Sequence, residues 1–230
     1  MIDVLITDFS GMLEAEDFLA WLKDQEGSVT CRNWKEMEGT NCYCDDVARE
    51  QILAGLPEVM PRVRWIDSGD YHYVSHLLAL REKEPFHLVL MDHHPDNQEP
   101  AFGGVLSCGS WVKAMQEENG LLRSVLSIGP EGCGEGIPAG WLEERRGERV
   151  YVSLDKDIMG REWARTDWSQ GSHTLEQVEG ILGQLLEGPV QVAAVDICGG
   201  LTPEKGATPE DLRINRETNI ALYRFLTAQL

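Results

Sequence analysis

Two kinds of hydrophobic pattern take turns along the chain. Short, nearly continuous apolar runs fall at residues 3–8, 63–66, 87–91, 121–128, 150–154 and 190–195, with a weaker one at 28–32. Runs such as Leu88 to Met91, apolar on both faces, predict inner strands of a parallel sheet covered by helices on each side. Between them, apolar residues recur at helical spacing. A helix is expected over 14–24, with Phe18, Leu19, Trp21 and Leu22 near one face, and another after an Asp45 or Asp46 cap, carrying Val47, Ile52 and Leu53 inward. The spacing predicts further helices over 74–81 and 111–118. Thr174 and Gln177 form a capping box ahead of the stripe Leu175, Val178, Ile181, Leu182 and Leu185. Thr208-Pro209 opens the last helix, docked through Ile220, Tyr223 and Leu226 or Phe225. Strands alternating with helices throughout predict a single α/β domain over residues 1–230, a three-layer doubly wound parallel sheet that binds ligands at strand carboxyl ends. The irregular loop 39–44 and the glycine-, proline- and glutamate-rich stretch 129–147 interrupt this pattern; the second is expected at the mouth of a site.

Charge narrows the partners. Lys and Arg number 20 against 39 Asp and Glu, a formal net charge of -19. Such a chain is repelled by phosphate backbones and anionic lipid, so neither nucleic acid nor a membrane surface is expected as a partner. No apolar run is long enough to cross a bilayer, and the first residues carry a strand pattern in place of a basic leader, which points to a cytoplasmic setting. The six cysteines, Cys31, Cys42, Cys44, Cys108, Cys133 and Cys198, are scattered and expected to be reduced thiols. Cys42-Tyr43-Cys44 lacks a second pair at zinc-ligand spacing.

The candidate chemistry sits where strands stop. The run 87–91 ends in Asp92-His93-His94-Pro95-Asp96, in which Asp92, His94 and Asp96 share a side if the backbone stays extended. The run 150–154 ends in Asp155-Lys156-Asp157, and 63–66 leads into Asp67-Ser68-Gly69-Asp70-Tyr71-His72. Three strand ends thus offer His72, Asp92, His94, Asp96, Asp155 and Asp157. Carboxylates at this density repel one another unless a positive charge lies between them. One divalent ion does not use six ligands comfortably; two ions sharing bridging carboxylates do. His93 points opposite to His94 in an extended chain and is expected to support the ligands from behind or to pack. His76 and His87 are expected to serve structure.

These strings resemble the arginase and agmatinase family, the ureohydrolases. Gly69-Asp70-Tyr71-His72 is similar to that family's Gly-Gly-Asp-His element, Asp92-His93-His94-Pro95-Asp96 to its Asp-Ala-His-x-Asp element, and Ser153-Leu154-Asp155-Lys156-Asp157 to its Ser-x-Asp-x-Asp element, all in the family's order. The resemblance implies an arginase/deacetylase-like fold and two divalent ions, manganese being the family's usual metal. One ion would be held by His72, Asp92, Asp96 and Asp155, the other by His94, Asp92, Asp155 and Asp157. A hydroxide between them would attack the planar carbon of a small guanidino, amidino or amide compound. The resemblance leaves homo-oligomerisation open.

The sequence also departs from the family. Val195-Asp196-Ile197-Cys198-Gly199-Gly200 resembles its Asp-Ile-Val-Glu segment without the glutamate that grips guanidinium, and Glu204 is the nearest acid. Cys108, in Ser107-Cys108-Gly109-Ser110, stands where agmatinases carry a proton-shuttling histidine, and is the candidate catalytic side chain. Downstream of Asp157, Trp168, Asp167 and His173 are candidates for holding substrate. Two other classes compete with the hydrolase: a non-catalytic, metal-binding or regulatory protein on the same fold, supported by the missing glutamate, and a DHH-type phosphoesterase, suggested by Asp92-His93-His94 but lacking that family's upstream His-x-x-Pro-Asp-x-Asp element.

Overall fold

A computed structural model describes residues 2–25, 27–100 and 103–230. Seven strands form one parallel sheet: β1 (Val4–Asp8), β2 (Val29–Asn33), β4 (Val63–Trp65), β5 (Phe86–Met91), β7 (Leu122–Ile128), β8 (Arg149–Asp155) and β9 (Gln191–Cys198). Their order is β2-β1-β4-β9-β8-β5-β7. Two short strands, β3 (Tyr43–Cys44) and β6 (Leu106–Ser107), pair antiparallel as a separate ribbon.

The sheet alternates its side chains between two cores, as period-two strands buried on both faces must. Val4, Ile6, Val89, Met91, Val150, Val152 and Leu154 enter one core, covered by α1 (Met12–Ala15), α2 (Phe18–Lys23), α7 (Leu175–Leu186) and α8 (Pro209–Gln229). Leu5, Leu88, Leu90 and Tyr151 enter the other, covered by α3 (Asp46–Gly55), α4 (Val74–Ala79) and α5 (Trp111–Glu118). The short α6 (Trp141–Glu144) lies in the stretch before β8. This is the three-layer α/β architecture expected from the pattern. No helix among the described residues is long and apolar enough to cross a membrane.

Local expectations fare differently. Thr174 and Thr208 both form full capping boxes, with Gln177 and Asp211. The helix expected over 14–24 is instead α1 and α2, because Asp17 adopts a left-handed backbone (φ 55°) and Glu16 turns inward to accept from Asn219 at 2.8 Å. Val47 is 64% exposed, not inward, since α3 buries the face carrying Ala48 and Ile52. Leu222 and Leu226 are fully buried under α8, beside Tyr223. The strand expected to stop at Val195 continues to Cys198, which puts Asp196 inside β9, accepting from the Tyr151 hydroxyl and facing Arg64 at 3.5 Å.

Candidate metal centre

The carboxyl ends of β8 and β5, which are neighbours, deliver Asp155, Asp157, Asp92, His94 and Asp96 to one place. A 3-10 turn after β4 (Gly69–Tyr71) brings His72 across to them. His72 Nδ1 lies 3.2 Å from Asp92 Oδ2, 3.0 Å from Asp96 Oδ2 and 3.4 Å from Asp155 Oδ2. His94 Nδ1 lies 2.8 Å from Asp157 Oδ2 and 3.6 Å from Asp92 Oδ1. All six expected ligands therefore meet, although not as an extended strand would bring them: the backbone bends over residues 92–94 and turns left-handed at Asp96 (φ 44°).

Each ring is held from behind. His72 Nε2 is hydrogen-bonded to Ser153 Oγ at 2.9 Å, which in turn meets Ser75 Oγ at 3.1 Å, and His94 Nε2 is hydrogen-bonded to Ser169 Oγ at 2.8 Å. Such partners fix ring orientation in metal-binding histidines. Asp155 Oδ1 accepts from the Asp157 N–H at 2.9 Å, Asp157 Oδ1 from the His93 N–H at 3.0 Å, and Asp96 Oδ2 from Trp111 Nε1 at 2.7 Å. His93 thus contributes its backbone, while its ring packs edge-on to His94 at 5.1 Å.

Two sets of donor atoms are spaced to hold a cation: His72, Asp92 and Asp96 in one, Asp92, His94 and Asp157 in the other, with the atoms of each set within 4.8 Å of one another. Asp92 belongs to both. Asp155 joins His72 in a third set with Cys198, a neighbour the sequence did not suggest. Asp92 Oδ2 is buried, faces His72 Nδ1 at 3.2 Å and makes no well-aligned hydrogen bond, an arrangement that a cation would complete.

The electrostatics follow from this crowding. Burial, then the Asp157 charge, pushes the Asp155 carboxyl well above the ordinary range. Burial and Asp92 raise Asp157 to about 6. Burial opposes the charged form of His72, but Asp92, Asp96 and Asp155 outweigh it and hold the imidazole well above its usual value. Hydrogen bonds that the His94 ring donates to Asp157 and Asp92 raise it to about 10. Protons are thus retained where the carboxylates crowd, and these are the positions a divalent cation would contest.

A cavity of about 270 Å³ opens onto the cluster; besides the ligands, Cys42, Tyr43, Gln98, Cys108 and Trp168 form its wall. Loop 39–44 therefore reaches the site through β3. Trp168 is fixed by a bond from its Nε1 to Asp70 Oδ1 at 3.0 Å, and Asp70 Oδ2 takes Lys205 at 2.5 Å, with Asp167 Oδ2 3.2 Å from the same ammonium.

Other expectations need correcting. His173 does not line the cavity; it is buried, with Nε2 hydrogen-bonded to the Glu135 carbonyl at 3.1 Å. Glu204 faces a separate cavity shared with Lys35, Tyr71 and Lys205. No residue of 129–147 lines the metal cavity; that stretch packs on the His173 side. A side chain at Gly199 would overlap Asp155 Oδ1, so a glutamate at this point of the segment has no room. His76 is buried and faces Glu118 at 3.3 Å, and His87 is held by Ser124 and Glu148, each at 2.7 Å.

No family model matches the chain. An uncharacterised protein of Thermotoga maritima is 26% identical over 228 residues, covering 95% of this chain and 88% of that protein. Among solved structures, a proclavaminate amidino hydrolase from Streptomyces clavuligerus superposes with a TM-score of 0.69 at 15% identity, over 97% of this chain and 91% of the other. An arginase from Bacillus subtilis superposes with a TM-score of 0.64 at 11% identity, over 96% and 97% of the two chains. At such identities the likeness is one of fold, and the chain has the α/β fold of the arginase-like hydrolase structures.

Proposed function

We propose that this protein is a divergent member of the arginase family, a hydrolase that holds two divalent ions, manganese first among them, and cleaves a C–N bond in a small guanidino, amidino or amide compound. The observation that carries the reading is Asp92, shared between two sets of cation-spaced donors, with a buried oxygen that faces His72 but makes no well-aligned hydrogen bond. Imidazole and carboxylate donors suit manganese. His72, Asp92, Asp96 and Asp155 would hold one ion, and His94, Asp92, Asp155 and Asp157 the other. Ions bound there would lower the pKa of a coordinated water and offset charge developing on the substrate.

The chain's own groups do the remaining work. Ser153 and Ser169 orient the two imidazoles, and Trp168 with Tyr43 narrows access of water to the cluster. Burial and the nearby Cys42 push the Cys108 thiol up, so it stays protonated at neutral pH and neither accepts a proton nor gives one up readily, unlike the histidine it replaces in the resemblance. Glu204 and His173 lie outside the cavity, so this reading needs neither as a substrate clamp. Among the described residues the only carboxylates lining the cavity are the expected metal ligands, so none is left to grip guanidinium, and amidino and amide compounds come before arginine as substrates. The same observation supports the second reading, a protein that keeps the ions without catalysis.

Metal content decides first. Protein re-equilibrated with manganese should carry two ions per chain and lose them in Asp155→Ala; release of urea or ammonia from a panel of guanidino, amidino and amide compounds then separates enzyme from metal-binding protein. Absence of bound metal in both proteins would sink the hydrolase reading.

A further inference from the structure

Two thiols face each other at the mouth of the cavity. In the ribbon, Tyr43 lies opposite Ser107 and Cys44 opposite Leu106, and the same register one residue further sets Cys42 opposite Cys108. The Cys108 N–H donates to the Cys42 carbonyl at 3.0 Å, so pairing extends to this position. That bond holds the two backbones side by side at the end of the ribbon, and a disulfide spans residues whose Cα atoms are roughly 4.4–6.8 Å apart. Both residues line the cavity, and each thiol lies near enough to the other to bear on its titration. Cys44, next along the strand, is turned away and directs its thiol to the Asp45 carbonyl at 3.7 Å.

We propose that Cys42 and Cys108 form a reversible disulfide across the mouth of the cavity, and that this bond restricts exchange between the cavity and solvent. The ribbon has only two residues in each strand, and a pairing that short opens easily. Its opening widens the wall made by Cys42, Tyr43, Ser107 and Cys108. Cys42 already holds a left-handed backbone (φ 57°), which turns the chain into the ribbon. A covalent link at this end stops the two segments from parting.

The oxidant is a low-molecular-weight disulfide. The Cys42 thiolate attacks one of its sulfurs, expels one reagent thiolate and leaves a mixed disulfide. The Cys108 thiolate then attacks the Cys42 sulfur and expels the second. Two protein thiols are oxidised, one reagent disulfide is reduced to two thiols, and the two protons leaving the cysteines end on those thiols. Cys42 acts first because burial and Asp70 raise it only to about 11, while deeper burial raises Cys108 further. Exchange therefore quickens as pH rises.

The linkage rests on geometry alone, and access can be read without metal. The full chain, metal-free, is incubated with oxidised glutathione at mildly alkaline pH, then exposed to diethylpyrocarbonate and mapped by mass spectrometry. The expected result is one Cys42–Cys108 peptide pair, reversed by dithiothreitol, with His94 modified several-fold more slowly in the oxidised protein. Cys42→Ser and Cys108→Ser should lose this dependence on oxidation, whereas Cys133→Ser should keep it. Glutathione adducts without the linked pair, or a linked pair with unchanged His94 modification, would overturn the proposal. Manganese release to a chelator, several-fold slower after oxidation, extends the test to the loaded protein. A protein that binds no manganese would end the hydrolase reading and leave the result at His94 intact.

Discussion

Asp155 shows what the site costs a single residue. Its carboxyl is buried, faces Asp157 and titrates well above the ordinary range, so the stability it permits is present at low pH and lost as pH rises through that raised value. At neutral pH, without metal, its ionised form opposes folding. Asp155→Asn should therefore stabilise the metal-free protein by on the order of 1–3 kcal/mol, raising its melting temperature, while abolishing any rise that manganese gives the parent; calorimetry with and without manganese checks both signs. Asp67 is the contrast. It accepts from the N–H groups of Phe9, Ser10 and Ser68, each at 2.7 Å, and from the Ser10 hydroxyl, and it touches no expected ligand. Asp67→Ala should leave metal stoichiometry intact and cost about 2–4 kcal/mol in a urea titration, because buried donors lose their acceptor. The clustering of Asp92, His94, Asp155 and Asp157 was legible in the sequence because short-range spacing and strand ends put them side by side. The placement of His173 and Glu204 was not, because it depends on contacts with Glu135 and on a cavity wall built from distant segments.

Strand β9 supports the ligands without supplying an expected one. At its exit Gly199 has φ 93°, a conformation that side-chain-bearing residues rarely adopt, and its missing Cβ leaves room for Asp155. Gly199→Ala should displace Asp155 and weaken manganese binding at least as much as His72→Ala, measured by competition with a chromophoric chelator. The loops beyond β4, β8 and β9 are tied together by Asp70, Asp167, Trp168 and Lys205. Lys205→Ala should free Trp168, reported by its fluorescence, with the sheet unchanged by circular dichroism. The strands and most helices could be read from hydrophobic period alone, since their burial is local in pattern. Ribbon β3-β6 could not: two residues pair with two others more than sixty positions away, and no periodicity marks them. The break between α1 and α2 was equally hidden, because Glu16 is drawn inward by Asn219 of the last helix.

Across the molecule, the site sits on a buried polar layer. Lys156, between the two aspartates, donates to Asn219 Oδ1 at 2.9 Å, and Asn219 donates to Glu16 at 2.8 Å, while Trp65 Nε1 reaches the same Asn219 oxygen at 3.1 Å. Burial raises Glu16 from 4.5 to about 7 despite Lys156. Its contribution to stability is full below the unfolded value and falls as pH rises through the folded one. Global stability should accordingly drop by a few kcal/mol between about pH 4.5 and pH 7 on this account, and Glu16→Gln should flatten that interval in urea titrations at stepped pH. The sheet order carries a consequence for how the molecule is made. Strand β9 follows every other strand in the chain, yet it lies between β4 and β8. Until it inserts, the sheet exists as two separate halves, β2-β1-β4 bearing His72 and β8-β5-β7 bearing the aspartates, joined by nothing in the sheet. Contacts of such wide sequence separation form slowly, and a nascent chain can collect its ligands but not assemble them. On the proposed reading, cation binding would be the closing event of biogenesis, and manganese supplied early in refolding should speed only the final phase.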